Sequence, residues 1–237
     1  MLAHTIETCL GFGSTVTALS LGAFLFPVDT LLPALVMIGL LQSSWLLWRG
    51  FRHVDWKWIL GSILPVVAAG LGIGIFLRDH ASETVMLGGL GVFISVMASL
   101  ELIRLARGNA GPGNPTPSAT LGLLIAGGIF QGLFASGGPP IVYCAARRFA
   151  DPAAFRATLA VLWLVLNSIL CVSMGWSGQL DTESVRLGLA ALPGFLAGLA
   201  IGGLVRPHPK NFQLATWILL LIIGMAQCWR AALHIAG

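Results

Sequence analysis

Six long apolar stretches decide what this chain can fold into. They run from Leu31 to Trp48, Trp58 to Leu77, Thr84 to Leu100, Ala157 to Gly175, Leu187 to Val205 and Phe212 to Cys228. Each is close to the roughly 17–25 apolar residues that a helix needs to cross a bilayer. Inside hydrocarbon the backbone must satisfy its own hydrogen bonds, which leaves helices or closed barrels. Unbroken runs of this length, without period-2 alternation, select the helix. The expected fold is an all-α integral membrane protein. Composition agrees. Hydrophobic residues make up 57% of the 237 positions and charged residues only 9%, against about a quarter charged in soluble domains. The excess apolar surface has to face lipid.

Two further apolar regions are interrupted. One spans Ile6 to Phe26, with CLGFGSTVTALSLGAFLFP at its heart; the other spans Thr120 to Cys144 and contains GGIFQGLFASGGPPIVYC. Pro139 and Pro140 lack an N–H and clash with a preceding helical turn. Gly137 and Gly138 permit a sharp reversal. Each region therefore reads as a re-entrant hairpin or a broken span. Between the halves, Gly108 to Ser118 is rich in Gly, Pro and Asn and reads as a linker.

The halves resemble each other. LPVVAAGLGIG, Leu64 to Gly74, matches LPGFLAGLAIG, Leu192 to Gly202, at seven of eleven positions. Met97-Ala98 and Met225-Ala226 repeat the same offset of 128, and Gly13 and Gly137 sit in the two interrupted regions at an offset of 124. The expected plan is one unit used twice, a broken segment followed by three spans. The first repeat covers residues 1–107, with its broken segment at 6–26. The second covers 119–237, with its broken segment at 120–146. Such duplication is common in secondary transporters.

Charge orients the plan. If both broken regions crossed fully, seven of the thirteen Lys and Arg would lie inside and six outside. If both are re-entrant, ten lie inside and only Arg78, Arg186 and Arg230 outside. The second arrangement obeys the positive-inside rule. It makes the second half inverted relative to the first and puts both termini outside. The net charge of +4 is spread among apolar runs, which gives no footprint for nucleic acid.

Two hairpin tips entering from opposite faces would meet near the midplane. The start of each returning arm offers N–H groups and the positive end of a helix dipole, which suit an anion. The candidate substrate-binding residues are Gly13, Ser14 and Thr15 at the first tip and Ser136, Gly137 and Gly138 at the second. Gln42, Ser43, Gln131, Asn167 and Ser168, polar and uncharged, follow close by. The repeated Gly70, Gly74, Gly194, Gly198 and Gly202 read as a packing face. Trp48, Trp56, Trp58, Trp176 and Trp229 read as interfacial anchors.

The run GGIFQGLFASGGPPIVYCAARR, followed by AFRATLAVLWLVLNSIL, resembles the sulfite exporter TauE/SafE family of membrane permeases. Members carry a glycine-rich motif ending in proline in each half. Gly132 to Pro140 matches it, with Ala135 and Ser136 at positions where small residues are usual. Gly11 to Thr15 is a degenerate copy without the proline. The resemblance implies a multi-pass protein of the bacterial inner membrane. Its substrates would be small sulfur-containing anions such as sulfite, sulfoacetate or other sulfonates, moved by alternating access. No cofactor or metal is expected. The expected partners are the anion, the lipid bilayer and, for oligomer formation, a second copy in a homodimer. A channel or a membrane scaffold is the alternative. An enzyme is disfavoured, because no nucleophile, carboxylate pair or metal cluster lies within a span. His4 and Glu7, three residues apart, read as an incidental pair. Glu7 and Glu101 are the nearest candidates for a proton carrier.

Overall fold

The computed structural model describes residues 1–10, 13–107, 116–149, 151–204 and 209–236, and these form helices without a strand. In chain order the helices are α1 (Leu2–Leu10), α2 (Ser14–Gly22), α3 (Val28–Gly50), α4 (Trp56–Trp58) and α5 (Leu64–His80). They continue with α6 (Glu83–Ala106), α7 (Pro117–Phe134), α8 (Gly138–Arg148), α9 (Pro152–Trp176), α10 (Thr182–Leu204) and α11 (Pro209–Ala236). A π-turn over Ile59–Ile63 joins α4 to α5, so residues 56–80 run as one span. Pro65, just after it, has no N–H for the regular ladder, and a π-turn is a common way to absorb that loss.

The predicted spans all lie in long helices, most of which extend beyond the predicted limits. Most of the predicted linker, residues 108–115, and Val205 lie outside the described residues. Pro117 and Ser118, placed in the linker by sequence, instead open α7, with the Thr116 hydroxyl accepting the Ala119 N–H. α7 differs from expectation in another way: its 18 residues make it long and apolar enough to count as a span by itself.

Yet both interrupted regions reverse. In the second, Gly137 lies against Gly127 and Gln131, and Ile141 of α8 lies against Gly127 of α7, so α8 returns along α7. In the first, Ser14 of α2 bonds back to Glu7 of α1. The reversals use left-handed backbone at Gly13 (φ 100°) and Ala135 (φ 48°). Sequence had placed the second reversal at Gly137 and Gly138. Gly137 has an ordinary φ of −73°, and it is glycine for a different reason. A Cβ there would fall on the Gly127 carbonyl oxygen. Pro139 and Pro140 occupy the first turn of α8, where their missing N–H groups cost the helix no bond.

Glycines set how the helices pair. Gly70 and Gly74 of α5 meet Gly128 and Gly132 of α7, so closely that a Cβ at Gly70 would strike the Ile125 carbonyl oxygen. Gly198 and Gly202 of α10 meet His4, Thr5 and Thr8 of α1 in the same manner. In each pair the helices run parallel. α3 and α9 run antiparallel, with Gly39 against Asn167 and Gly50 against Ala157; so do α6 and α11, with Gly91 against Cys228 and Gly88 against Ala231. Such small-residue seams let backbones approach in a bilayer, where apolar contact alone gives little drive.

The outer surface is apolar. Leu60, Phe76, Val92, Leu100, Leu189, Leu196 and Ile222 are all more than half exposed, as lipid-facing residues must be. Trp48, Trp176 and Trp229 project near helix ends, at 74%, 89% and 69% exposure, in keeping with interfacial anchors.

The two ends of the bundle carry different charge. At one end Arg148 pairs with Asp55 at 3.3 Å, Asp55 N–H donates to Thr158, and Trp58 meets Phe149 edge to face. This gathers the basic α3–α4 and α8–α9 turns. The Asp55 carboxyl accepts the Trp58 N–H and lies beside Arg148, which together hold it below the usual carboxylate range. At the opposite end Arg78 pairs with Asp79 at 3.0 Å, and Gln179 donates to Asp79.

Candidate anion cavity

Between the two hairpin tips lies a cavity of about 30 Å³, measured by where the centre of a water can go. A single water needs about 10–15 Å³ on that scale, so the space has room for a small polyatomic ion. α1 and α2 contribute Glu7, Gly13, Ser14, Thr15 and Val16, and α3 contributes Gly39 and Ser43. The second tip contributes Gln131, Ala135, Ser136 and Gly138, and α9 contributes Trp163 and Asn167.

Eight of the eleven sequence-predicted residues therefore line one space: Gly13, Ser14, Thr15, Ser43, Gln131, Ser136, Gly138 and Asn167. Three do not. Gln42 is fully buried behind the wall, with its Oε1 2.8 Å from His4 Nδ1. Gly137 is the hinge beneath the tip and donates its N–H to Gln131 Oε1 at 2.8 Å. Ser168 is exposed on the outside of α9 and bonds to its own Leu164 carbonyl at 2.7 Å. Ser168 sits about 100° around α9 from Asn167 and faces out, while Gln42 and Ser43 are both buried but only Ser43 reaches the cavity.

Five wall residues were not among the predicted ones: Val16, Gly39 and Ala135, and, with polar groups, Glu7 and Trp163. Glu7, read by sequence as an incidental pair with His4 and as a candidate proton carrier, is buried in the wall, and Ser14 donates both its N–H and its hydroxyl to Glu7 Oε2. His4 turns to Gln42 instead. Trp163 was hidden in an apolar run. The available signal was its position four residues before Asn167, on the same helical face.

The donors differ from those expected of bare helix starts. The Ser14 and Gly137 N–H groups are already held by Glu7 and Gln131, and the two prolines of α8 have none. Ser136 and Trp163, by contrast, both residues of the wall, each carry a buried donor, the hydroxyl and the indole N–H, without a hydrogen-bond partner. A buried donor left unsatisfied costs about 1–3 kcal/mol. An acceptor in the cavity removes that cost. Asn167 is held in place by Gln131, whose Nε2 donates to Asn167 Oδ1 at 2.9 Å. Gly39 leaves the room for it, since a Cβ there would come within 2.9 Å of Asn167 Nδ2.

The chain matches the sulfite exporter TauE/SafE family over residues 1–226, a region that includes every residue of the cavity. It belongs to the TauE/SafE family. The fold of this family member is accordingly that of a multi-pass membrane transporter. Among relatives, the chain is 26% identical over 214 residues to a probable sulfite/organosulfonate exporter TauE of Cupriavidus necator, covering 88% of this chain and 80% of that one. It is 30% identical over 186 residues to a probable inner membrane transporter protein TsaS of Comamonas testosteroni, covering 76% of each. No solved structure matches.

Proposed function

We propose that this TauE/SafE protein is a secondary permease of the bacterial inner membrane for small sulfur-containing anions, sulfite or a short sulfonate. The cavity between the hairpin tips is its binding site. The observation that carries the reading is that two residues of the wall, Ser136 and Trp163, hold buried donors, Oγ–H and Nε1–H, without partners, beside a space with room for a small oxyanion. The relatives' descriptions as a sulfite/organosulfonate exporter and an inner membrane transporter point the same way.

The halves, residues 1–107 and 119–237, are two inverted copies, and transport is alternating access by rocking one against the other. Support comes from the pairing of helices. Exchanging the halves turns the α5–α7 contact into α10–α1 and returns α3–α9 and α6–α11 to themselves, antiparallel in each case. The binding test is thermal stabilisation of the purified protein by sulfite or methanesulfonate, because a ligand of the folded state alone raises apparent stability. Stabilisation beyond that given by equal chloride supports the site. Equal stabilisation by chloride reduces the effect to salt.

A further inference from the structure

Glu7 places an ionisable carboxyl on the wall of a cavity whose other polar groups suit an anion. Its role is not simply to hold the tip. Gln131 does that on the second hairpin with a neutral amide, accepting the Gly137 N–H as Glu7 accepts the Ser14 N–H. An amide suffices for the bond, so the acid has to answer a different need.

We propose that Glu7 takes up a proton when the anion binds and gives it back when the anion leaves, so that one proton travels with each anion. This rests on the anion reading of the cavity. Two negative charges in a space this small, away from bulk water, repel strongly. The bound anion therefore selects the protonated carboxyl, and the proton comes from water on whichever side the cavity faces. The bond to Ser14 survives, because a carboxylic acid keeps acceptor capacity.

No described residue nearby neutralises Glu7 instead. It is the one ionisable side chain among those lining the cavity. α2 carries no titratable residue. α10 meets α1 through Gly198 and Gly202, with the Met1 amino group beside Gly194, while Glu183 and Arg186 lie near the other end of α10. On α3, Asp29 and Arg49 sit in the first and last turns. α7 has no charged residue, Arg147 and Arg148 end α8, and Arg156 lies near the start of α9. On α11, Arg230 donates to the Ala23 carbonyl. His4, a turn earlier on α1, is bonded to Gln42.

The test is a titration of the purified, weakly buffered protein with methanesulfonate, whose own charge is fixed near neutral pH, while a pH indicator reads proton uptake. The wild type should take up about one proton per anion bound, and its affinity should fall by up to about tenfold per unit rise in pH, as reciprocal linkage requires. Glu7→Gln should bind the anion with no uptake and a nearly flat pH profile. Wild-type binding without proton uptake overturns the proposal, and so does uptake that persists in Glu7→Gln. If methanesulfonate does not bind wild type or variant at all, the anion reading itself falls and takes the coupling with it.

Discussion

Gln131 donates from Nε2 to Asn167 Oδ1 at 2.9 Å and accepts the Gly137 N–H on Oε1 at 2.8 Å, so one buried amide ties the second hairpin tip to α9. Gln131→Leu should leave the Gly137 N–H buried without an acceptor, at about 1–3 kcal/mol. A lower Tm together with weakened methanesulfonate binding is the expected result. Gln131→Glu keeps the acceptor for Gly137 but loses the donor to Asn167 and adds a charge to the cavity. It should bind the anion worse still, and binding should recover as pH falls.

The two unpartnered donors give the most local test of the site. Trp163→Phe removes the indole N–H but keeps an aromatic ring, and Ser136→Ala removes only a hydroxyl. A hydrogen bond to a charged group is worth about 1.5–3 kcal/mol, so each change should weaken anion binding by roughly tenfold to a hundredfold. Ser136→Ala should not lower the Tm of the anion-free protein, because it removes an unsatisfied buried group, whereas Trp163→Phe also leaves a gap in the core and should lower it modestly. Unchanged binding in the double variant would mean that the anion sits elsewhere.

How much of this was legible in the sequence depends on which physical signal carried it. The spans followed from apolar length, and the second reversal from the chemistry around Gly137 and Pro139. The backbone conformation at the tip was not legible: Ala135, not a glycine, takes the left-handed turn, and Gly137 is glycine because the Gly127 carbonyl approaches it. Trp163 escaped because an indole inside AVLWLVLNS reads as core. Glu7 was legible as a candidate proton carrier but not as a wall residue, because a re-entrant reading of residues 6–26 does not say that the turn brings Ser14 onto it.

The glycine seams predict a contrast on one helix. Gly70→Ala would drive a methyl group into the Ile125 carbonyl, whereas nothing lies within 4 Å of a Cβ at Gly72. Overpacking of this kind costs about 1–3 kcal/mol. Gly70→Ala should lower the Tm by several degrees and Gly72→Ala should leave it unchanged or raise it. Equal effects would show that the α5–α7 seam is looser than described.

Orientation is checked from the charge at the bundle ends. The end that joins Arg148 to Asp55 should face the cytoplasm, which puts both termini outside. A reporter active only in the periplasm, fused after Gly237, should work. A C-terminal fluorescent protein that matures in the cytoplasm would reverse the assignment.

The central claim is that the chain carries a small sulfur-containing anion through the cavity between its two hairpin tips. Its most direct test is methanesulfonate flux into proteoliposomes, with a pH gradient and a membrane potential imposed separately. The account predicts saturable flux that responds to the pH gradient, falls sharply in the Ser136→Ala, Trp163→Phe double variant, and loses its pH response in Glu7→Gln. Flux in the double variant equal to wild type, or no flux in any protein under either gradient, would contradict it.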